Sequence, residues 1–87
     1  MTEWIDTLAE AFASESFTET ETERLLNATR EIAHRVERKA VPLAAYLLGM
    51  DVARRVAEGA RREDATIEAL AALQATLPEV PPGSEGG

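Results

Sequence analysis

The sequence predicts an all-α bundle, on three observations. Apolar residues recur at the 3.6-residue period in four separate segments. No segment alternates apolar and polar residues with the period of two that a strand needs. Pro42, Gly59 and Pro78 fall at the boundaries between the periodic segments or just past the last of them.

The first helix is expected over residues 2–13, with Trp4, Ile5, Leu8 and Phe12 on one stripe. Residues 14–20 read as a polar loop holding Phe17. Thr20 with Glu23 forms one candidate capping box, and Thr18 with Glu21 the alternative, so the second helix is placed at residues 21–38. Its core stripe is Leu25, Leu26, Thr29, Ile32, Ala33 and Val36, spanning roughly 120°. Pro42 suits a helical first turn and pushes Val41 out of the helical region, so the third helix is placed at 42–58, with Gly59 as its stop. This helix is apolar nearly all round, which predicts burial, in the bundle centre or against a partner. Asp64 could cap a fourth helix over 65–77, with Ile67, Leu70, Ala71, Leu73 and Leu77 inward. Short connections favour antiparallel neighbours. The expected architecture is a compact up-down bundle of four helices, or a three-helix core with a loosely docked fourth. Residues 1–77 form its single domain. Residues 78–87, PEVPPGSEGG, cannot bury enough apolar surface to offset chain entropy and are expected to be disordered.

Composition narrows the chemistry. The chain has 87 residues, no cysteine and one histidine, so thiolate metal sites, cysteine nucleophiles and multi-histidine cages are excluded. No apolar run reaches the ~18 residues of a membrane span, and the acidic start MTEWIDTLAE lacks the basic region of a signal peptide. A cytoplasmic protein is the expectation. The net charge of −7 argues against a general nucleic-acid binder. Eight arginines against one lysine, with 16 alanines, have the look of a GC-rich, actinobacterial genome. The sequence offers no nucleophile–base pair, metal cluster or glycine-rich loop, so neither catalysis by the chain alone nor a cofactor is expected. Glu31 and Glu37 do not share a helix face, and His34 has no acid or serine at a diagnostic spacing.

Charge is unevenly placed. Residues 1–23 hold seven acids and no base, residues 24–62 carry a net +5, and residues 63–87 hold five acids and no base. Acids at helix starts and bases at helix ends complement the macrodipole. In an up-down bundle Arg54, Arg55, Arg61 and Arg62 would lie at the same end as Glu19–Glu23, which would neutralise them. The cluster Arg30, His34, Arg35, Arg38 and Lys39 has two readings. It is a solvated helix end, or it is an anion or phosphate pocket in which Arg30, His34 and Arg38, at four-residue steps, face the free N–H groups of the third helix. Trp4 and Tyr46 could stack a ligand, though their helical spacing places them in the core. Tyr46, Leu48 and Val52 are the residues by which the third helix would meet a partner. Its surplus of apolar surface predicts a weak monomer–dimer equilibrium. Gly49 either permits close helix approach or leaves room for a ligand beside His34.

The run NATREIAHRVERKAVPLAAYLLGMDVARR, residues 27–55, resembles a small actinobacterial family of domains of unknown function, family 6457. The carrying positions are Ala33, His34, Val36 and Arg38, then Pro42 and Leu43, then Leu47, Leu48 and Gly49, with Trp4 and Leu25–Leu26 as further features. Lys39 and Met50–Asp51 depart from that pattern, which puts any pocket between the second and third helices in doubt. Such domains occur alone or behind molybdenum-cofactor guanylyltransferases. The resemblance therefore implies a non-catalytic accessory module beside a molybdenum-cofactor nucleotidyltransferase, in molybdopterin-guanine dinucleotide biosynthesis. A small-anion or nucleotide-binding domain is the alternative.

Overall fold

A computed structural model describes residues 2–79. These form four helices and no strand: α1 (Thr2–Ala11), α2 (Glu19–Arg35), α3 (Ala40–Ala57) and α4 (Arg62–Thr76). The all-α bundle is therefore as expected. The part of the tail at 80–87 lies outside the described residues.

α2 starts on the second of the two candidate boxes. The Glu21 N–H donates to Thr18 Oγ1 at 3.1 Å, and the Thr18 N–H donates to Glu21 Oε1 at 3.0 Å, so two end donors are satisfied reciprocally. α2 stops at Arg35, three residues earlier than expected, because Val36 leaves the helical region at φ −113°, ψ −88°. The chain then turns with the Ala40 N–H on Glu37 O and the Val41 N–H on Arg38 O, both 3.1 Å. This turn runs directly into α3, which starts at Ala40 and contains Val41. Pro42 still lies in the first turn, where its missing N–H costs nothing.

α3 ends in a Schellman motif. The Ala60 N–H donates to Arg55 O and the Gly59 N–H to Val56 O, both at 3.0 Å, with Gly59 at φ 111°. The end of α1 repeats the motif, Ser14 N–H to Ala9 O and Ala13 N–H to Glu10 O, but with Ala13 in the left-handed position at φ 53°. α1 accordingly ends at Ala11 rather than Ala13. α4 begins at Arg62, with Glu63 and Asp64 inside its first turn, where they favour the dipole. Asp64 is therefore not the cap.

Direction follows from one contact. Arg62 at the start of α4 binds Glu21 at the start of α2, so these two helices run the same way and α3 runs opposite. α2, α3 and α4 pack on each other, whereas α1 brings no Cα within 8 Å of another helix. The loosely docked helix is α1.

The core is small. Ala28, Leu48, Ala69 and Leu70 form its buried cluster, with Leu25, Val52 and Leu73 packed on it. Ile32 and Ala65 are also buried. The inward face of α4 is Ala65, Thr66, Ala69 and Leu70, not Ile67 and Ala71, because small side chains let α4 approach its neighbours closely. Thr66 is buried without penalty, since its hydroxyl donates to Arg62 O at 2.9 Å. Leu26 and Val36, expected in the α2 stripe, are about half exposed. α3 departs most from expectation: Leu48 is its single buried residue.

Candidate functional site

The two ends of the bundle differ in how their charges are held. At the α2/α4 start, Arg62 reaches Glu21 twice, Nε to Oε2 at 2.9 Å and Nη2 to Oε1 at 3.1 Å. It also donates to the carbonyls of Glu15 and Ser16, at 3.3 and 3.2 Å, and lies over the Phe17 ring. The Ser16 hydroxyl in turn donates to Asp6, which is α1's polar link to this end. Arg54 and Arg55 are also neutralised within the molecule, but by Asp51, Glu58 and Glu68. The Arg55 and then the Arg54 guanidinium hold the Asp51 carboxyl below the usual carboxylate range, and Asp51 in turn raises both arginines.

At the opposite end lies the basic cluster. Arg30, His34, Arg38 and Lys39 are exposed. Arg30 donates to Asn27 Oδ1 at 3.1 Å, and Arg35 sits 3.7 Å from Glu31. Among the described residues no ion pair involves Arg30, His34, Arg38 or Lys39.

The structure does not assemble these side chains into a pocket. Arg38 leaves α2 with the turn, which breaks the expected Arg30–His34–Arg38 ladder. The α3 N-terminus offers little to an anion, because the Ala40 and Val41 N–H groups are bonded within the turn and Pro42 has none. What remains is a positively charged edge.

Beside that edge runs an uncovered apolar face. Leu43, Tyr46, Leu47 and Met50, at i, i+3, i+4 and i+7 on α3, are 70, 71, 65 and 57% exposed. Tyr46 is thus neither core nor shielded. Leu48 and Val52, expected on the same interaction surface, instead pack inward, with Leu48 also in the lining of a groove between α3 and α4. Sequence reasoning missed Leu43, Leu47 and Met50. Their helical spacing was the available signal, masked by apolar residues all round the helix.

A groove of about 360 Å³ flanks this face between α3 and α4, lined by Ala44, Leu47, Asp51, Ala72, Leu73 and Thr76 among others. Gly49 does not serve a close helix approach, since a Cβ there would meet nothing within 4 Å. Trp4 is 64% exposed rather than core, and Phe12 is 72% exposed. A second apolar cavity, about 280 Å³, lies where Ile5 and Asp6 of α1 meet Phe17, Leu25 and Leu26.

Among the described residues no group of three potential metal ligands occurs, and no helix is long and apolar enough to cross a membrane. No curated protein and no solved structure matches the chain. The family described as Domain of unknown function (DUF6457) matches it over residues 1–84. Nearly the whole chain is covered by that match, and the protein therefore belongs to the DUF6457 family.

Proposed function

We propose that this chain is a non-catalytic helical interaction module that docks through the outward face of α3. The carrying observation is the stripe Leu43, Tyr46, Leu47 and Met50, four large apolar side chains left in water at regular helical spacing. Scattered surface leucines need no explanation, but a contiguous apolar stripe with a charged rim has the make-up of a protein interface. The partner suggested by the family resemblance is a molybdenum-cofactor nucleotidyltransferase, and the module would act beside it in molybdopterin-guanine dinucleotide assembly. The test is co-purification of the full chain with that enzyme from its native host. Recovery by the wild type, weakened about tenfold or more by Leu47→Asp, is the expected result. Failure to recover the enzyme overturns the assignment of partner.

A second reading keeps the basic edge as a weak anion or nucleotide site, favoured by Arg30, His34, Arg38 and Lys39, none of which forms an ion pair among the described residues. Amide shifts confined to residues 30–43 on titration with GTP, lost in Arg38→Ala, would support it. A silent titration at millimolar ligand would remove it.

A further inference from the structure

The α3 stripe has a counterpart at the other end of the same molecule. α1 makes no close backbone approach to the bundle, and its Trp4 and Phe12 are 64 and 72% exposed. The two apolar surfaces also differ in charge. Residues 1–23 hold seven acids and no base, while the stripe begins at Leu43, four residues after the turn that carries Arg38 and Lys39. The 17-residue α2 separates the acidic end from the basic one by about 25 Å. One molecule thus carries an acidic end with Trp4 and Phe12 exposed and a basic end from which the α3 stripe begins.

We propose that in the free protein the α3 face is covered by the α1 end of a second copy, in a reciprocal antiparallel dimer. This rests on the reading of α3 as a docking face, though not on the identity of any partner enzyme. Side-by-side antiparallel copies place the acidic end of each on the basic end of the other, so the contact is made twice about a two-fold axis. Each copy then covers Leu43, Tyr46, Leu47 and Met50 with a surface carrying Trp4 and Phe12. Aromatic side chains bury about 150–250 Å² each, so two such contacts approach the ~800 Å² per partner of a standard interface.

Pairing α3 with α3 is less well matched. It would set the basic edge against Asp51, Arg54, Arg55 and Glu58, where acids and bases already cancel, and would leave Trp4 and Phe12 in water. In the proposed dimer the α3 face is occupied, so self-association and docking on another protein compete.

The test is sedimentation equilibrium of the full chain, its Leu47→Asp and Trp4→Asp variants, and their equimolar mixture. Wild-type mass should rise with concentration from 9.4 kDa toward twice that value. Each variant should weaken association by about tenfold or more. The mixture should associate more strongly than either variant alone, because a mixed pair keeps one intact contact of α1 on α3. Far-UV circular dichroism verifies that the variants fold, and Tyr46→Glu replaces Leu47→Asp if that variant does not. A wild type that stays monomeric overturns the proposal and leaves the docking reading to its co-purification test. Association unaffected by Trp4→Asp, or a mixture no stronger than its components, also overturns it, the latter pointing to α3 against α3.

Discussion

α3 and α4 pack against each other, yet their compositions and burial are inverted. α4 contributes Ala65, Thr66, Ala69 and Leu70, half of the buried residues among those described. α3 is the most apolar helix and contributes Leu48 alone. Hydropathy therefore does not decide which helix is inside. α4 is inside because alanine and threonine let three helices approach closely. α3 turns Leu48, with Val52 beside it, into the space this leaves and holds its other large side chains outward. The core uses what fits, and the apolar surplus of α3 remains for a contact outside the chain.

Leu48 is the strongest point at which to break this contrast. Leu48→Ala removes the one large side chain that α3 buries and should cost about 2–4 kcal/mol in chemical denaturation. Leu47→Ala, one residue away but outward, should cost under about 0.5 kcal/mol. Equal losses would show that the two faces are not distinct. Next in size, Ala69→Leu adds bulk where α4 meets α3 and should destabilise by about 1–3 kcal/mol.

The glycines sharpen the contrast within α3. Gly59→Ala forces a Cβ into a left-handed position and should cost about 1 kcal/mol. Gly49→Ala meets open space in a helix interior and should raise stability by up to about 1 kcal/mol, read as an increased denaturation midpoint.

The smallest expected effect is electrostatic. Asp51 has its folded pKa depressed by Arg55 and Arg54, so its contribution is complete above the ordinary carboxylate value of about 3.9 and lost as pH falls through the depressed one. The stability gap between wild type and Asp51→Asn should be full at neutral pH and close in strong acid. A gap that widens in acid would contradict the assignment.

Much of the fold was legible because its signals are local. Four helical periods and both candidate boxes each lie within one or two turns of sequence, although α2 starts on the alternative box, two residues before the expected start. The pairing of Arg62 with the α2 start followed from up-down geometry and charge placement. The inward face of α4 was not legible, since periodicity weights Ile67 and Leu77 above Ala65 and Ala69, whereas packing rewards small volume. The α3 face was hidden for the opposite reason: apolar residues on all sides give no periodic contrast. The expected anion pocket failed on backbone detail. A turn at residues 36–39 both ended α2 before Arg38 and bonded the N–H groups that an anion would have used.

Arg62 has a further consequence, for the order in which the protein comes apart. One guanidinium holds the Glu21 carboxylate and the carbonyls of Glu15 and Ser16, so the loop before α2, the first turn of α2 and the first turn of α4 share a single fastening. Such shared contacts make a cooperative opening unit. Amides around residues 18–22 and 65–66 should exchange with solvent in concert. Those of α1, tied in by the Ser16–Asp6 bond and a few side chains, should exchange earlier. Replacing Arg62 with alanine would uncouple the two first turns and let each fray at its own rate.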